Sequence, residues 1–383
     1  MTSPGSDRPS TSIGVAGRLI LNDRVEAGRI SVLDGRIAAV ELGAGEPDGP
    51  YIAPGFVDVH VHGWGGHDAM GGADALDGMS RHLLRHGVTS FLPTAVSAPL
   101  ATLVDFAERV RAWIPAAPAD GARPLGFNLE GPFLAPARRG AHDPAFLLIP
   151  ADVDTVALEP LVDGLRLITI APELPGALEL IARLRARGVA ISMGHSAATF
   201  DEARAGYAAG GTTTTHLFNA MTGVDHRAPG LAAAALLDDA AHVELIADGH
   251  HVHPAIWGLI ARVKSTERLL LVSDAIAHAG LGDGRTIVGG LAVEAAGGRA
   301  TLVGSTTLAG SVIALDTAVR NLVGSGMALP AAVAAASRNP LAMLGVTDRG
   351  RIEAGQLADL VELDDDLQVQ RVLRSGKWLE GAG

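Results

Sequence analysis

Six residues of this sequence combine the side-chain types and the placement needed to hold a divalent metal ion: His60, His62, Glu130, His195, His216 and Asp274. In GFVDVHVHG, Val57, Val59 and Val61 alternate with Asp58, His60 and His62. Side chains two apart on a strand share a face, roughly 6.6 Å along it, so both imidazoles can reach one cation. Glu130 then ends LGFNLE, His195 ends VAISMGH, His216 ends TTTTH and Asp274 ends LLLVSD. One polar residue closing an apolar strand is ordinarily a satisfied buried group. Six together carry a desolvation cost that a divalent cation offsets. The ligands divide as His60, His62, Glu130 and Asp274 around one ion and Glu130, His195 and His216 around another, so the set fits one or two ions per subunit.

Donors restricted to nitrogen and oxygen favour Zn2+, with Fe2+, Co2+ or Mn2+ as substitutes. The chain has no cysteine, which excludes thiolate zinc sites, disulfides and cysteine nucleophiles. Its two lysines, Lys264 and Lys377, end no barrel strand, which excludes a carboxylated lysine bridge. Structural zinc usually has four closed ligands, many of them cysteines, so this set reads as catalytic. A bound metal lowers the pKa of its water, and Asp274 is placed to take that proton and deliver it to a departing nitrogen. The expected chemistry is amide hydrolysis.

The elements that must carry these residues are legible in outline. Between about residues 53 and 346, short β-branched runs alternate with Ala/Leu-rich helical stretches, as in a parallel sheet. Eight strands are expected, GFVDVHVH, VTSFLPT, LGFNLE, LRLITIA, VAISMGH, TTTTH, VELIAD and LLLVSD. Eight strand and helix units in this length fit a TIM-like (β/α)8 barrel, whose active sites lie at the C-terminal mouth. A β-hairpin insertion is expected from Asp283 to Leu308, with helix resuming at Ser311 as N-cap. Residues 11–52, with a hairpin turn at Asp34-Gly35, and 347–383 are strand-like and together predict a small β-sandwich built from both termini. Residues 1 to 10 read as a disordered leader.

Composition narrows the function further. Nearly half the residues, 48%, are hydrophobic and only 4% aromatic, so the core must be built from Ala, Val, Leu and Ile. A formal charge of −12 argues against nucleic acid as partner, because polyanion binding rewards clustered Lys and Arg. No apolar run reaches membrane-spanning length and the first residues lack a secretory pattern, so a cytoplasmic location without membrane partners is expected.

PGFVDVHVHGWGG, NLEGPFLAPARRGAHDP, GHSAAT, THLFNAMTGVDHRAPG, LIADGHHVHP, VSDAIAHAG, LAGS and SRNPLAMLG occur in that order. Through them the chain resembles the N-acetylglucosamine-6-phosphate deacetylases of the amidohydrolase superfamily over nearly its whole length. The resemblance implies a homodimer that hydrolyses N-acetyl-D-glucosamine 6-phosphate, in amino-sugar catabolism and cell-wall sugar recycling. It implies that Glu130, His195 and His216 hold the principal metal, that Asp274 is the acid/base, and that His142 contacts the acetamide and polarises its carbonyl. It further implies that Asn219, the backbone of Ala220, Arg227 and His251 grip the phosphate, with Arg227 serving its own or a neighbouring subunit, and that Leu308 lines the substrate pocket. The first-strand motif varies in that family, and His60 with His62 equips this chain for a second ion. The competing readings are a galacto-configured substrate, opening of a cyclic amide, and a non-enzymatic scaffold, the last disfavoured because every ligand position is filled.

Overall fold

The computed structural model describes residues 12–45 and 47–379, so the expected leader lies outside the described residues. All eight expected parallel strands are present: β1 (Phe56–Val61), β2 (Val88–Val96), β3 (Phe127–Glu130), β4 (Leu165–Ile170), β5 (Ala190–Met193), β6 (Thr213–Thr214), β7 (Val243–Leu245) and β8 (Leu269–Leu271). Strands β1 to β6 pair in sequence order as one parallel sheet, and β7 pairs with β8. The sheet curls into a TIM-like arrangement whose ladder is interrupted at two seams. Backbone hydrogen bonds span both. Thr214 N donates to His242 O at 3.1 Å between β6 and β7, and Asp274 N donates to His60 O at 2.9 Å between the end of β8 and β1.

Every residue of β1 is buried, as expected of a parallel strand covered on both faces. The outward valines pack among helices, while Asp58 and His60 face inward. Helix Ala73–Arg85 shows the matching helical pattern, burying Leu76, Met79, Ser80, Leu83 and Leu84 at spacings of three and four. Comparable helices follow every strand except β3: Leu100–Trp113, Ala177–Ala186, Phe200–Ala209, Leu231–Leu237, Pro254–Val263 and Leu315–Gly324. The expectation of eight full strand and helix units needs correcting at that one place. The β3–β4 connection is a series of 3-10 turns ending in the short helix Glu159–Val162. Pro132, Pro136, Pro144, Pro150 and Pro160 withhold the N–H groups a longer helix would need.

Two further expectations change after β8. The insertion is a three-stranded antiparallel meander, Gly284–Val288, Leu291–Ala296 and Arg299–Leu302, rather than a single hairpin. Ser311 caps no helix. It pairs with the end of β8, donating its N–H to Asp274 O at 2.7 Å and accepting at its carbonyl from Ile276 N at 3.0 Å. The helix starts only at Leu315, with Ala314 as N-cap.

The two chain ends do join, as one continuous seven-stranded sheet rather than two separate sheets of a sandwich. Its order is Lys377–Leu379, Val369–Arg374, Leu360–Leu363, Tyr51–Pro54, Ser12–Ile20, Val25–Leu33 and Arg36–Leu42. It rolls over a separate core including Leu19, Ile30, Ile52 and Leu360, bringing Gly35 against Ser375. Asp34 and Gly35 occupy the hairpin turn with φ of 50° and 78°, the conformation that an Asp-Gly pair supplies.

Phe127 opens the strand that ends in Glu130; it is fully buried and its ring meets Phe106 edge-on at 5.6 Å. Phe127→Ala is expected to cost about 3–5 kcal/mol in equilibrium urea unfolding. A loss below 1 kcal/mol would show that the layer between β3 and its helices can collapse freely.

Candidate metal centre

Each of the six expected ligands comes from the C-terminal end of a different strand except His60 and His62, which share β1. The local backbone is special at three of these ends. His195, His216 and Asp274 have φ of 46°, 28° and 50°, in the left-handed region that side chains with a Cβ seldom adopt. The turn swings each side chain out of the strand's alternation and over the mouth. After His195, a capping box fixes the exit: Thr199 accepts from Glu202 N, and the Glu202 carboxylate accepts from Thr199 N.

The side chains converge in the two expected groups, His60, His62, Glu130 and Asp274 in one and Glu130, His195 and His216 in the other. His195 Nε2 and His216 Nε2 lie 3.1 Å apart and each lies 3.0 Å from Glu130 Oε1. A triangle of that size suits three donors at roughly 2.0–2.2 Å from one ion. In the other group, His62 Nε2 is 3.3 Å from Glu130 Oε2 and 3.1 Å from Asp274 Oδ1, and His60 Nε2 is 3.6 and 3.5 Å from Glu130 Oε1 and Asp274 Oδ1.

The opposite nitrogens reveal what these rings present. His62 Nδ1 is 3.1 Å from Thr94 O, His195 Nδ1 is 2.9 Å from Arg138 O, and His60 Nδ1 is 3.1 Å from Glu244 Oε2. Those oxygens can only accept, so each Nδ1 carries the hydrogen. In the neutral ring Nε2 then turns a lone pair toward carboxylate oxygens. Lone pair facing lone pair in a buried site requires a cation between them, either extra protons or a metal. Consistent with that, His60 Nε2 is buried without a hydrogen-bond partner among the described residues. The donor set, the spacing and this orphaned nitrogen all fit a divalent ion.

His142 is built the other way round. Its Nδ1 accepts from Ser97 N at 3.2 Å, so Nε2 carries the hydrogen, 3.2 Å from Glu130 Oε2. Burial holds its pKa below the ordinary imidazole value, outweighing the attraction of Glu130. His142 is thus a neutral hydrogen-bond donor beside the cluster, suited to polarising a carbonyl rather than ligating.

Above the cluster lies a cavity of about 360 Å3, on the scale of a small-molecule site. His62, Glu130, His142, His195, His216, Asn219, Ala220, His251, Asp274 and Leu308 line it. His60 lies buried beneath. Arg227 is not brought in: it occupies an exposed loop, with its N–H bonded to Asp225 Oδ1 at 2.8 Å. His251 is oriented by Asp248, whose Oδ2 lies 2.7 Å from Nδ1. The amide of Asn219 donates to His216 O and Leu217 O. Lys264 follows helix Pro254–Val263 and donates to Ala235 O at 2.8 Å, which leaves it to a structural task.

Glu244 escaped the sequence reading, although a carboxylate between Val243 and Leu245 in the middle of a buried strand was a visible signal. It is fully buried. His242 is also buried, held between Thr212 O and Arg268, and burial lowers its pKa to about 4.

The chain matches the model of the Amidohydrolase family over residues 51–379. It is 40% identical over 367 residues to the N-acetylgalactosamine-6-phosphate deacetylase of Escherichia coli, covering 92% of this chain and 93% of that protein. It is 39% identical over 345 residues to the N-acetylglucosamine-6-phosphate deacetylase of Bos taurus, covering 86% and 83%. The N-acetylglucosamine-6-phosphate deacetylase of Thermotoga maritima has a similar structure, with a TM-score of 0.90 at 34% identity over 96% of this chain and 99% of that one. An Asp-to-Ala variant of the Mycobacterium smegmatis enzyme, in complex with N-acetyl-D-glucosamine 6-phosphate, superposes with a TM-score of 0.89 at 34% identity and the same coverage.

Electrostatics sets the pH response. Burial disfavours the protonated ring of His62, but hydrogen bonds and charge from Asp274 and Glu130 outweigh it and raise its pKa from 6.5 to about 9. Burial likewise opposes the carboxylates, yet the imidazoles hold both Glu130 and Asp274 below their usual values. In metal-free protein the His62 contact therefore stabilises the fold fully below pH 6.5 and loses that contribution as pH rises through about 9. Ligation demands the reverse, a deprotonated ring. Binding of Zn2+ to apoprotein at pH 7.5 should release about one to two protons per ion, read by calorimetry in buffers of different ionisation enthalpy. Zero release would mean that the rings are already neutral.

Proposed function

Because this chain belongs to the amidohydrolase family, we propose that it hydrolyses N-acetyl-D-glucosamine 6-phosphate to D-glucosamine 6-phosphate and acetate. One observation carries the reading: a small-ligand cavity whose floor presents imidazole lone pairs around Glu130, with His142 presenting a hydrogen beside them. A divalent cation bound there supplies Lewis acidity toward the acetyl carbonyl and acidifies a water. We take Zn2+ as that ion, since every donor is nitrogen or oxygen, with one or two ions per subunit.

The chain's own groups do the rest. The Nε2–H of His142 donates to the acetyl oxygen as negative charge develops on it, which lowers the barrier most where water is excluded. Asp274 accepts the proton of the attacking water on its carboxylate. It then gives that proton to the sugar nitrogen as the C–N bond breaks, so the amine departs neutral, and the acetic acid that carries the new C–O bond loses its remaining proton to solvent as acetate. His251, aimed by Asp248, the backbone at Ala220 and Asn219 receive the phosphate, and Leu308 walls the sugar. Arg227 projects from an exposed loop outside its own cavity, which supports its reaching the phosphate of the neighbouring subunit in a homodimer. The backbone bonds across both seams support reading the curled sheet as a closed eight-stranded barrel of the (β/α)8 type. Among the described residues no helix is long and apolar enough to cross a membrane; we place the enzyme in the cytoplasm, where a phosphorylated sugar is retained.

A galacto-configured substrate is the second reading, favoured by the name of the 40%-identical Escherichia coli relative. Acetate release from N-acetylglucosamine 6-phosphate, N-acetylgalactosamine 6-phosphate and unphosphorylated N-acetylglucosamine separates the two. The gluco phosphate should give the highest kcat/KM, and chelation should abolish turnover of all three. In the same assay Arg227→Ala should lower kcat/KM for phosphorylated sugars by about 10- to 100-fold and leave the unphosphorylated sugar unchanged. Equal losses on both would remove Arg227 from phosphate recognition.

Asp274→Asn should keep an ion on Glu130, His195 and His216 but lower kcat by about 10²- to 10⁴-fold. Metal content measured beside turnover decides this, and near-normal kcat would transfer the acid/base role elsewhere.

A further inference from the structure

The structure assigns Glu244 as the positioning residue of the metal centre: its carboxylate holds His60 with the hydrogen on Nδ1 and so aims Nε2 at the ion shared with His62, Glu130 and Asp274. The proposal rests on the metal-dependent reading above and adds a residue that touches neither ion nor substrate.

Glu244 lies on β7 and is wholly inaccessible, yet it has a partner for each oxygen. Oε2 lies 3.1 Å from His60 Nδ1 and accepts from His216 N at 3.3 Å, while Oε1 accepts from Ser192 Oγ at 3.4 Å. Ser192 is itself bonded to Thr215, and Thr215 to Thr169 at 2.9 Å. A chain of hydroxyls across the barrel interior thus braces the carboxylate, and its other oxygen grips one member of each metal group. His60 shows the consequence, with Nδ1 engaged and Nε2, between Glu130 and Asp274, left without a hydrogen-bond partner among the described residues.

The anchor differs from those of its neighbours. His62 and His195 lean on main-chain carbonyls, of Thr94 and Arg138, which no substitution removes. His60 leans on an ionisable side chain. A carboxylate behind an imidazole fixes its tautomer and strengthens it as a donor, and loss of such partners typically weakens metal binding 10- to 100-fold. The geometry therefore makes the His60 group the one whose affinity is set by a removable side chain.

Co2+ is the probe, because its visible absorption reports each site's ligand geometry. Apoprotein of the wild type, Glu244→Gln and Glu244→Leu is titrated with Co2+. Wild type is expected to take two equivalents. Glu244→Leu should weaken uptake at the His60 group by about 10- to 100-fold and alter the spectrum of that equivalent, while the Glu130, His195 and His216 group, which loses only the bond to the His216 main chain, changes less. Glu244→Gln keeps an oxygen for His60 and His216 and should restore most of the affinity, which a loss of packing volume alone would not allow. Unchanged affinity and spectrum for both equivalents in Glu244→Leu would overturn the proposal. If that variant does not fold, long-range 1H–15N spectra of Zn2+-loaded wild type decide: hydrogen on His60 Nδ1 supports the assignment and hydrogen on Nε2 ends it. Wild type that binds no Co2+ would instead refute the metal-dependent reading itself.

Discussion

The centre of this protein is organised by one constraint: a single buried carboxylate, Glu130, has imidazole nitrogens of His60, His62, His142, His195 and His216 within 3.6 Å of its oxygens. For three of these rings the far nitrogen is bonded to an oxygen, so the near nitrogen offers only a lone pair. Such an arrangement is repulsive until a proton or a metal ion enters, and the burial of these side chains deepens the penalty. The fold must therefore hold the rings against their mutual repulsion. It does so through anchors behind the rings and left-handed turns at the strand ends. His142 escapes the constraint by receiving a main-chain N–H, and that reversal sets it apart from the candidate ligands.

Holding polar groups inside a barrel has a cost that the outer layer offsets. Asn128 bonds to Val59 O and Thr94, Thr169 and Ser192 bond to Thr215, and burial raises the Asp58 pKa to about 6 despite its bonds to His60 and Ser273. These interior groups contribute specificity rather than much net stability, since each bond mainly repays its own desolvation. Stability comes from outside the strands, where Val57, Val59, Val61, Leu129, Ile168 and Ile191 are fully or almost fully buried against helices rich in alanine. Small helix residues allow close approach to the sheet, which explains how so few aromatic side chains suffice.

Much of this was legible in the sequence because it follows period-two alternation. The eight strands could be located from short β-branched runs, and both ligand groups from the runs that end in His, Glu or Asp. Glu244 was not, for a physical reason: a charged residue inside a strand identifies its partner only when the opposing strands are brought together, and His60 lies 184 positions away. The β3–β4 connection misled through spacing, since its length admits a helix that its prolines forbid. Ser311 misled through type, because its cap-like hydroxyl is spent on the barrel: it donates to Ser273 O and accepts from Ile313 N. The terminal strands showed their character but not their pairing, which depends on a parallel contact of Ser12–Ile20 with Tyr51–Pro54.

The displaced Ser311 has a consequence for how the acid is held. Its backbone runs parallel to the end of β8, and Gly310 before it adopts φ of 63° with no room for a Cβ, which would lie 2.8 Å from Asp274 O and 2.7 Å from Ile276. Only glycine admits that approach. The segment that lines the cavity at Leu308 is therefore fastened directly to the backbone that carries Asp274. Upstream it is tied to the meander, where Ala309 N donates to Ala300 O at 3.0 Å. Contact at the cavity wall and the position of the carboxylate proposed to transfer the proton are thus mechanically one unit. A sugar that fits the wall poorly is penalised where the C–N bond breaks as well as where the ring is held, so discrimination between epimers falls on kcat as much as on binding.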